Sequence, residues 1–72
     1  MDEKTFLTEM ESLLNLEEPL TMETDLNDLE EWDSLAALMF QSFVLKKTKK
    51  ALKPALLKTV TTVSDLYSFV KN

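Results

Sequence analysis

The stretch Trp32-Asp33-Ser34-Leu35-Ala36-Ala37-Leu38-Met39-Phe40-Gln41-Ser42-Phe43-Val44-Leu45-Lys46-Lys47 decides the fold. Asp is a strong N-cap and good helix formers follow it. The pattern predicts a helix from Ser34 to about Lys47. Its last turn and exit hold Lys46, Lys47, Lys49 and Lys50, cations that complement the negative end of the helix dipole. On a helical wheel, Ala36, Ala37, Phe40, Phe43 and Val44 take one side. Leu35, Leu38 and Leu45 fall on another, beside Ser34 and Ser42. Such a helix is either central and contacted all round, or carries an exposed docking patch at Leu35 and Leu38.

Towards the N-terminus, residues 3–15 carry Phe6, Leu7, Met10, Leu13 and Leu14. At ~100° per residue these span an arc of roughly 120°, which predicts an amphipathic first helix. Residues 16–33 lack a sustained period. Pro19 stops the first helix, and Thr21, Thr24, Asp25, Asn27 and Asp28 are turn and cap formers. Leu16, Leu20, Leu26 and Leu29 read as anchors for a long loop lying against the core, with room for one helical turn around Asp25–Leu29. Loops of this length inside a compact domain are often functional. Towards the C-terminus, Pro54 opens a short helix over about 54–59. Thr62 and Asp65 form a capping box for a last helix running to about Lys71, with Val63, Leu66, Tyr67 and Val70 on one arc. No strand pattern is present. The expected fold is all-α, a single domain over residues 1–72: a small three-to-four-helix bundle with a long loop between its first and second helices.

Composition narrows the function. The 72 residues contain no Cys, no His and no Gly. Thiol nucleophiles, zinc-thiolate sites, imidazole bases and glycine-rich phosphate cradles are therefore excluded. A chain this short buries only about 60% of its unfolded surface, so its core is thin. An enzyme is not expected, and neither a catalytic set nor a metal-ligating set is visible. No stretch approaches the ~20 apolar residues of a membrane span. Met1-Asp2-Glu3-Lys4 lacks the basic, then apolar, start of a signal peptide, which points to the cytoplasm.

Charge is divided along the chain. Residues 1–33 hold twelve acids and one lysine, and residues 34–72 hold seven lysines and one aspartate, within a net charge of −5. An acidic surface repels nucleic acid and attracts basic partners. The run Lys46, Lys47, Lys49, Lys50, Lys53 and Lys58 is a basic patch. The overall acidity, the lack of Arg and the lack of a base-reading motif argue against nucleic-acid binding. Dipole complement, solubility, or docking on the chain's own acids or on an acidic partner each account for the run.

Ser34 sits where backbone N–H groups lack intrahelical partners and the dipole is positive. A phosphate on its hydroxyl would be stabilised there, although Ser is common at helix starts for local reasons alone. The segment Asp28-Leu29-Glu30-Glu31-Trp32-Asp33-Ser34-Leu35 resembles the carrier-site motif of acyl carrier proteins. The long loop, the acidic first half and the closing Thr62-Val63-Ser64-Asp65-Leu66 extend the resemblance over nearly the whole chain. Trp before Asp-Ser-Leu looks like the form of discrete, stand-alone carriers.

The resemblance implies a carrier that other enzymes act upon. Ser34 would take a 4'-phosphopantetheine arm from coenzyme A, placed by a phosphopantetheinyl transferase that needs Mg²⁺; this chain holds no metal. The arm would hold an acyl or aminoacyl group as a thioester, in fatty-acid or secondary-metabolite biosynthesis. The partners would be that transferase, a loading ligase and acyl-using enzymes, with the carrier a monomer that neither inserts in membranes nor binds nucleic acid. Asp33 would orient the helix start and lie near the transferase's metal. Leu35 and Leu38 match partner-contact positions, and Asp25, Asp28, Glu30, Glu31 and Asp33 would provide acidic recognition. A chain without Cys needs such an external thiol. Trp32 either packs as a hydrophobic staple or flanks the arm.

The chain departs from the family along the second helix. Met39, Leu45, Lys46 and Lys47 stand where acids are usual, and Gln41 and Thr48 stand where apolar lining is usual. A short acyl or aminoacyl cargo fits this at least as well as a long sheltered chain. The alternative reading is an unmodified helical interaction module that docks through the second helix and is indifferent to Ser34→Ala.

Overall fold

A computed structural model describes residues 1–71. It has three α-helices, α1 (Glu3–Leu13), α2 (Ser34–Thr48) and α3 (Val63–Tyr67), and two 3₁₀ turns, Leu26–Asp28 and Pro54–Lys58. Among the described residues there is no strand; one isolated antiparallel bridge joins Asp25 to Thr62. The protein is a small compact all-α fold. Its radius of gyration, 11.0 Å, agrees with the ~11 Å expected of a compact chain of this length.

Each helix begins on a side-chain cap. Asp2 accepts from the Thr5 N–H at 2.8 Å. Asp33 accepts from the Ala36 N–H at 2.9 Å. Thr62 and Asp65 make a reciprocal capping box at the start of α3. The ends are also built locally. Asn15 takes the left-handed conformation, φ 55°. The Leu16 N–H then donates to the Glu11 carbonyl and the Asn15 N–H to that of Ser12. That is a Schellman ending with Asn standing in for Gly, in a chain that has no Gly. At the end of α2, Lys49 takes the left-handed position, φ 64°.

α3 is shorter than the periodicity predicts, ending at Tyr67 rather than near Lys71. The Phe69 and Val70 N–H groups donate three residues back, to the carbonyls of Leu66 and Tyr67. This tightened turn brings Val70 into the core, where it is buried.

The core joins Phe6, Met10 and Leu14 of the first helical segment to Ala36, Phe40 and Val44 of α2 and Val63, Leu66 and Val70 near the C-terminus. Leu20 and Leu26 of the long loop are buried with them, and Leu16 and Leu29 are half-buried. Phe40 lies at the centre of an aromatic cluster, with Trp32, Phe43 and Phe69 at centroid distances of 6.0, 6.0 and 6.4 Å. Phe6 extends it to Phe43 and Tyr67, at 6.2 and 5.2 Å. Phe40 and Phe43 are stacked and the other pairs are tilted or edge-on, arrangements that the ring quadrupole favours over a face-to-face sandwich.

The loop before α2 is tied down at two places. The Leu20 N–H donates to Glu11 Oε2 at 2.8 Å, holding its start against α1. Further on, the Leu26 N–H donates to the Thr61 carbonyl at 2.8 Å, and the Val63 N–H to that of Thr24 at 3.1 Å. These backbone pairs fix where the chain turns towards Asp33.

Candidate functional site

The site is built on the N-terminal end of α2. Asp33 has extended backbone geometry, and its Oδ1 and its carbonyl accept from the N–H groups of Ala36 and Ala37, each at 2.9 Å. Ser34 is the first residue of the helix and is exposed. Leu35, immediately after it, is 64% exposed, and Leu38, one turn on, 60%. The hydroxyl, the cap and the two leucines therefore share the accessible end of the longest helix.

Trp32 does not lie open beside Ser34. It is half-buried, with its ring edge-on to Phe40 at 6.0 Å. It packs beneath the start of α2, one turn further along than the Ala37 a hydrophobic staple would select.

The acids expected at the site are exposed. Asp28 ends the first 3₁₀ turn, and Glu30 and Glu31 lie in the turn leading to Trp32. With Glu17, Glu18 and Leu20 they border an open groove beside the loop. Among the described residues no group of acids is arranged to hold a metal ion. Asp25 is differently employed: its side chain accepts from the Asn27 N–H at 2.9 Å and its backbone bridges to Thr62.

Further along α2 the two faces separate cleanly. Ala36, Phe40 and Val44 are buried, whereas Met39, Ser42, Leu45 and Lys46 are exposed. Lys47, itself exposed, reaches towards α1 at the helix end. It pairs with Glu9 of α1 at 3.2 Å and sits 5.7 Å from the centre of the Phe43 ring. That pair is the only ion pair among the described residues, so one member of the lysine run meets the chain's own acids. Lys46, Lys49 and Lys50 remain exposed.

Gln41 and Thr48 bind backbone rather than lining a deep cavity. Gln41 Nε2 donates to the Leu52 carbonyl at 3.3 Å. The Thr48 hydroxyl donates to that of Val44 at 2.8 Å. The groove beside them, about 380 Å³, is open to solvent and includes Lys47, Thr48 and Lys50 in its wall. Leu56, at 44% exposure, is an apolar surface residue that the sequence did not single out. Its signal was the pair Leu56-Leu57 in one short turn, where only one of two neighbours can face inward.

No helix among the described residues is long and apolar enough to cross a membrane. No protein-family model matches the chain, and no curated protein or solved structure matches it.

Proposed function

We propose that this chain is an acyl carrier protein whose Ser34 takes a 4'-phosphopantetheine arm. The observation that carries the reading is the exposed Ser34 hydroxyl at the head of α2, held in place by the Asp33 cap and followed by exposed Leu35. The residues present fit the group. A phosphodiester on Ser34 would lie at the positive end of a 15-residue helix. The arm supplies the thiol that a chain without Cys lacks.

The chain's own residues present and orient. Asp33 fixes the direction in which the helix leaves the loop. Packing of Trp32 on Phe40 and the Asp25–Thr62 bridge hold that loop. Leu35 and Leu38 offer apolar contact to the transferase and to acyl- or aminoacyl-loading and acyl-using enzymes. Asp28, Glu30 and Glu31 offer charge to basic residues there. The groove is open to solvent, with Lys47, Thr48 and Lys50 beside Val44, Leu52 and Phe69 in its wall, and together with the engaged Gln41 and Thr48 this supports a short acyl or aminoacyl cargo carried outside the core.

Intact mass tests the reading. Co-expression with phosphopantetheinyl transferases of broad and of narrow specificity should add one phosphopantetheine, and Ser34→Ala should remove the addition. A wild-type chain left unmodified by both kinds of transferase would overturn it.

A further inference from the structure

The exposed side of α2 is patterned like one strand of a coiled coil. Leu35, Leu38, Ser42 and Leu45 recur at intervals of three, four and three residues, and all four are exposed. Those are alternating a and d positions, the spacing that keeps a seam facing a second helix. The stripe is about 15 Å long at 1.5 Å per residue. The chain on either side of it carries opposite charge: Glu30, Glu31 and Asp33 precede the helix, and Lys46, Lys49 and Lys50 stand at its end, all exposed.

We infer that this face pairs with the same face of a second copy of the chain, the two α2 helices running antiparallel about a two-fold axis. Antiparallel pairing brings the acidic end of each copy to the basic end of the other, and opposes the two helix dipoles favourably. A two-fold interface must be complementary to itself, and this stripe is so in shape as well as in charge. The axis passes between Leu38 and Ser42. The large Leu38 of one copy then lies over the small Ser42 of the other, and Leu35 lies beside Leu45. Parallel pairing would set acids against acids and lysines against lysines.

The dimer is weak. A single three-turn seam falls at the small end of interfaces, under about 1,200 Å². The net charge of −5 on each copy opposes approach. At physiological salt that repulsion is screened beyond about 8 Å, while charges meeting at the helix ends lie within that range. The chain is therefore monomeric when dilute and pairs when concentrated. Pairing does not depend on modification of Ser34. It covers Leu35 and Leu38, so it competes with any enzyme docking there.

Sedimentation equilibrium of the unmodified chain, from micromolar to millimolar at physiological salt, tests this. The average mass should rise towards twice the monomer, and amide signals of residues 35, 38, 42 and 45 should shift with concentration. Leu38→Glu, at a surface position, should keep its circular dichroism and weaken association at least tenfold. A copy carrying Lys46→Glu and Lys49→Glu, and a copy carrying Glu30→Lys and Glu31→Lys, should each self-associate at least tenfold less. Mixed together they should pair at least as well as wild type. A mass that stays monomeric throughout, association indifferent to Leu38→Glu, or mixed charge variants that fail to pair would each overturn the inference. None of these readouts depends on whether a transferase modifies Ser34.

Discussion

The Tyr67 hydroxyl donates a 2.7 Å hydrogen bond to the backbone carbonyl of Met1, closing a contact between residues 66 positions apart. The same ring lies 5.2 Å from Phe6, so Tyr67 ties the start of α1 to the end of α3 by a polar and an apolar contact. Tyr67→Phe keeps the ring and removes the bond. It should cost about 1 kcal/mol, the net worth of a typical hydrogen bond. Urea unfolding with an unchanged m-value would measure it.

Asp33 and Ser34 are neighbours with separable roles. Asp33→Ala removes the cap on the Ala36 N–H and should cost about 1 kcal/mol. Ser34→Ala alters an exposed residue whose replacement is a good helix former, and should stay within about 0.5 kcal/mol of wild type. Thermal unfolding followed by circular dichroism distinguishes them. A stable Ser34→Ala chain ensures that loss of modification there reports on the hydroxyl and not on unfolding.

These two residues also show how much was legible beforehand. Caps are read from short local patterns, so Asp33, the Thr62–Asp65 box and the start at Pro54 were all visible in the sequence. The period of α1 and the two-sided character of α2 were visible as well. The Asp25–Thr62 bridge, the Glu9–Lys47 pair and the grip of Glu11 on the Leu20 N–H were not. The first two join residues far apart in the chain, the third spans nine residues across the end of α1, and no local period encodes any of them. The true end of α3 was hidden because Val70 keeps an inward place under either ending. The wheel left open whether Leu35 and Leu38 were covered, and only the packing of the other elements answers that.

Lys49 holds a left-handed conformation that a side chain disfavours. Lys49→Gly should be more stable than Lys49→Ala by about 1 kcal/mol, the reverse of their order within a helix. Both substitutions remove the same charge, so their difference isolates the backbone. Chemical denaturation of the pair would give it.

Hydrogen bonds from the backbone N–H groups of Thr61 and then Thr62 hold the Asp65 carboxyl below its ordinary value of 3.8. The folded state thus binds fewer protons than the unfolded state as the pH falls past that value. The stabilisation from this carboxylate is complete above the unfolded value and lost as pH falls through the lower folded one. Wild type should unfold at a higher temperature than Asp65→Asn at neutral pH, and the gap should narrow as pH drops below 3.8. Melting curves at a series of pH values would show the convergence.

α2 turns Ala36, Phe40 and Val44 inward and Leu35, Leu38, Ser42 and Leu45 outward, with half-buried Ala37, Gln41 and Phe43 between them. Folding and recognition therefore draw on separate letters of the same helix. Evolution, or an engineer, can rewrite whom this protein meets while leaving untouched the residues that make it fold.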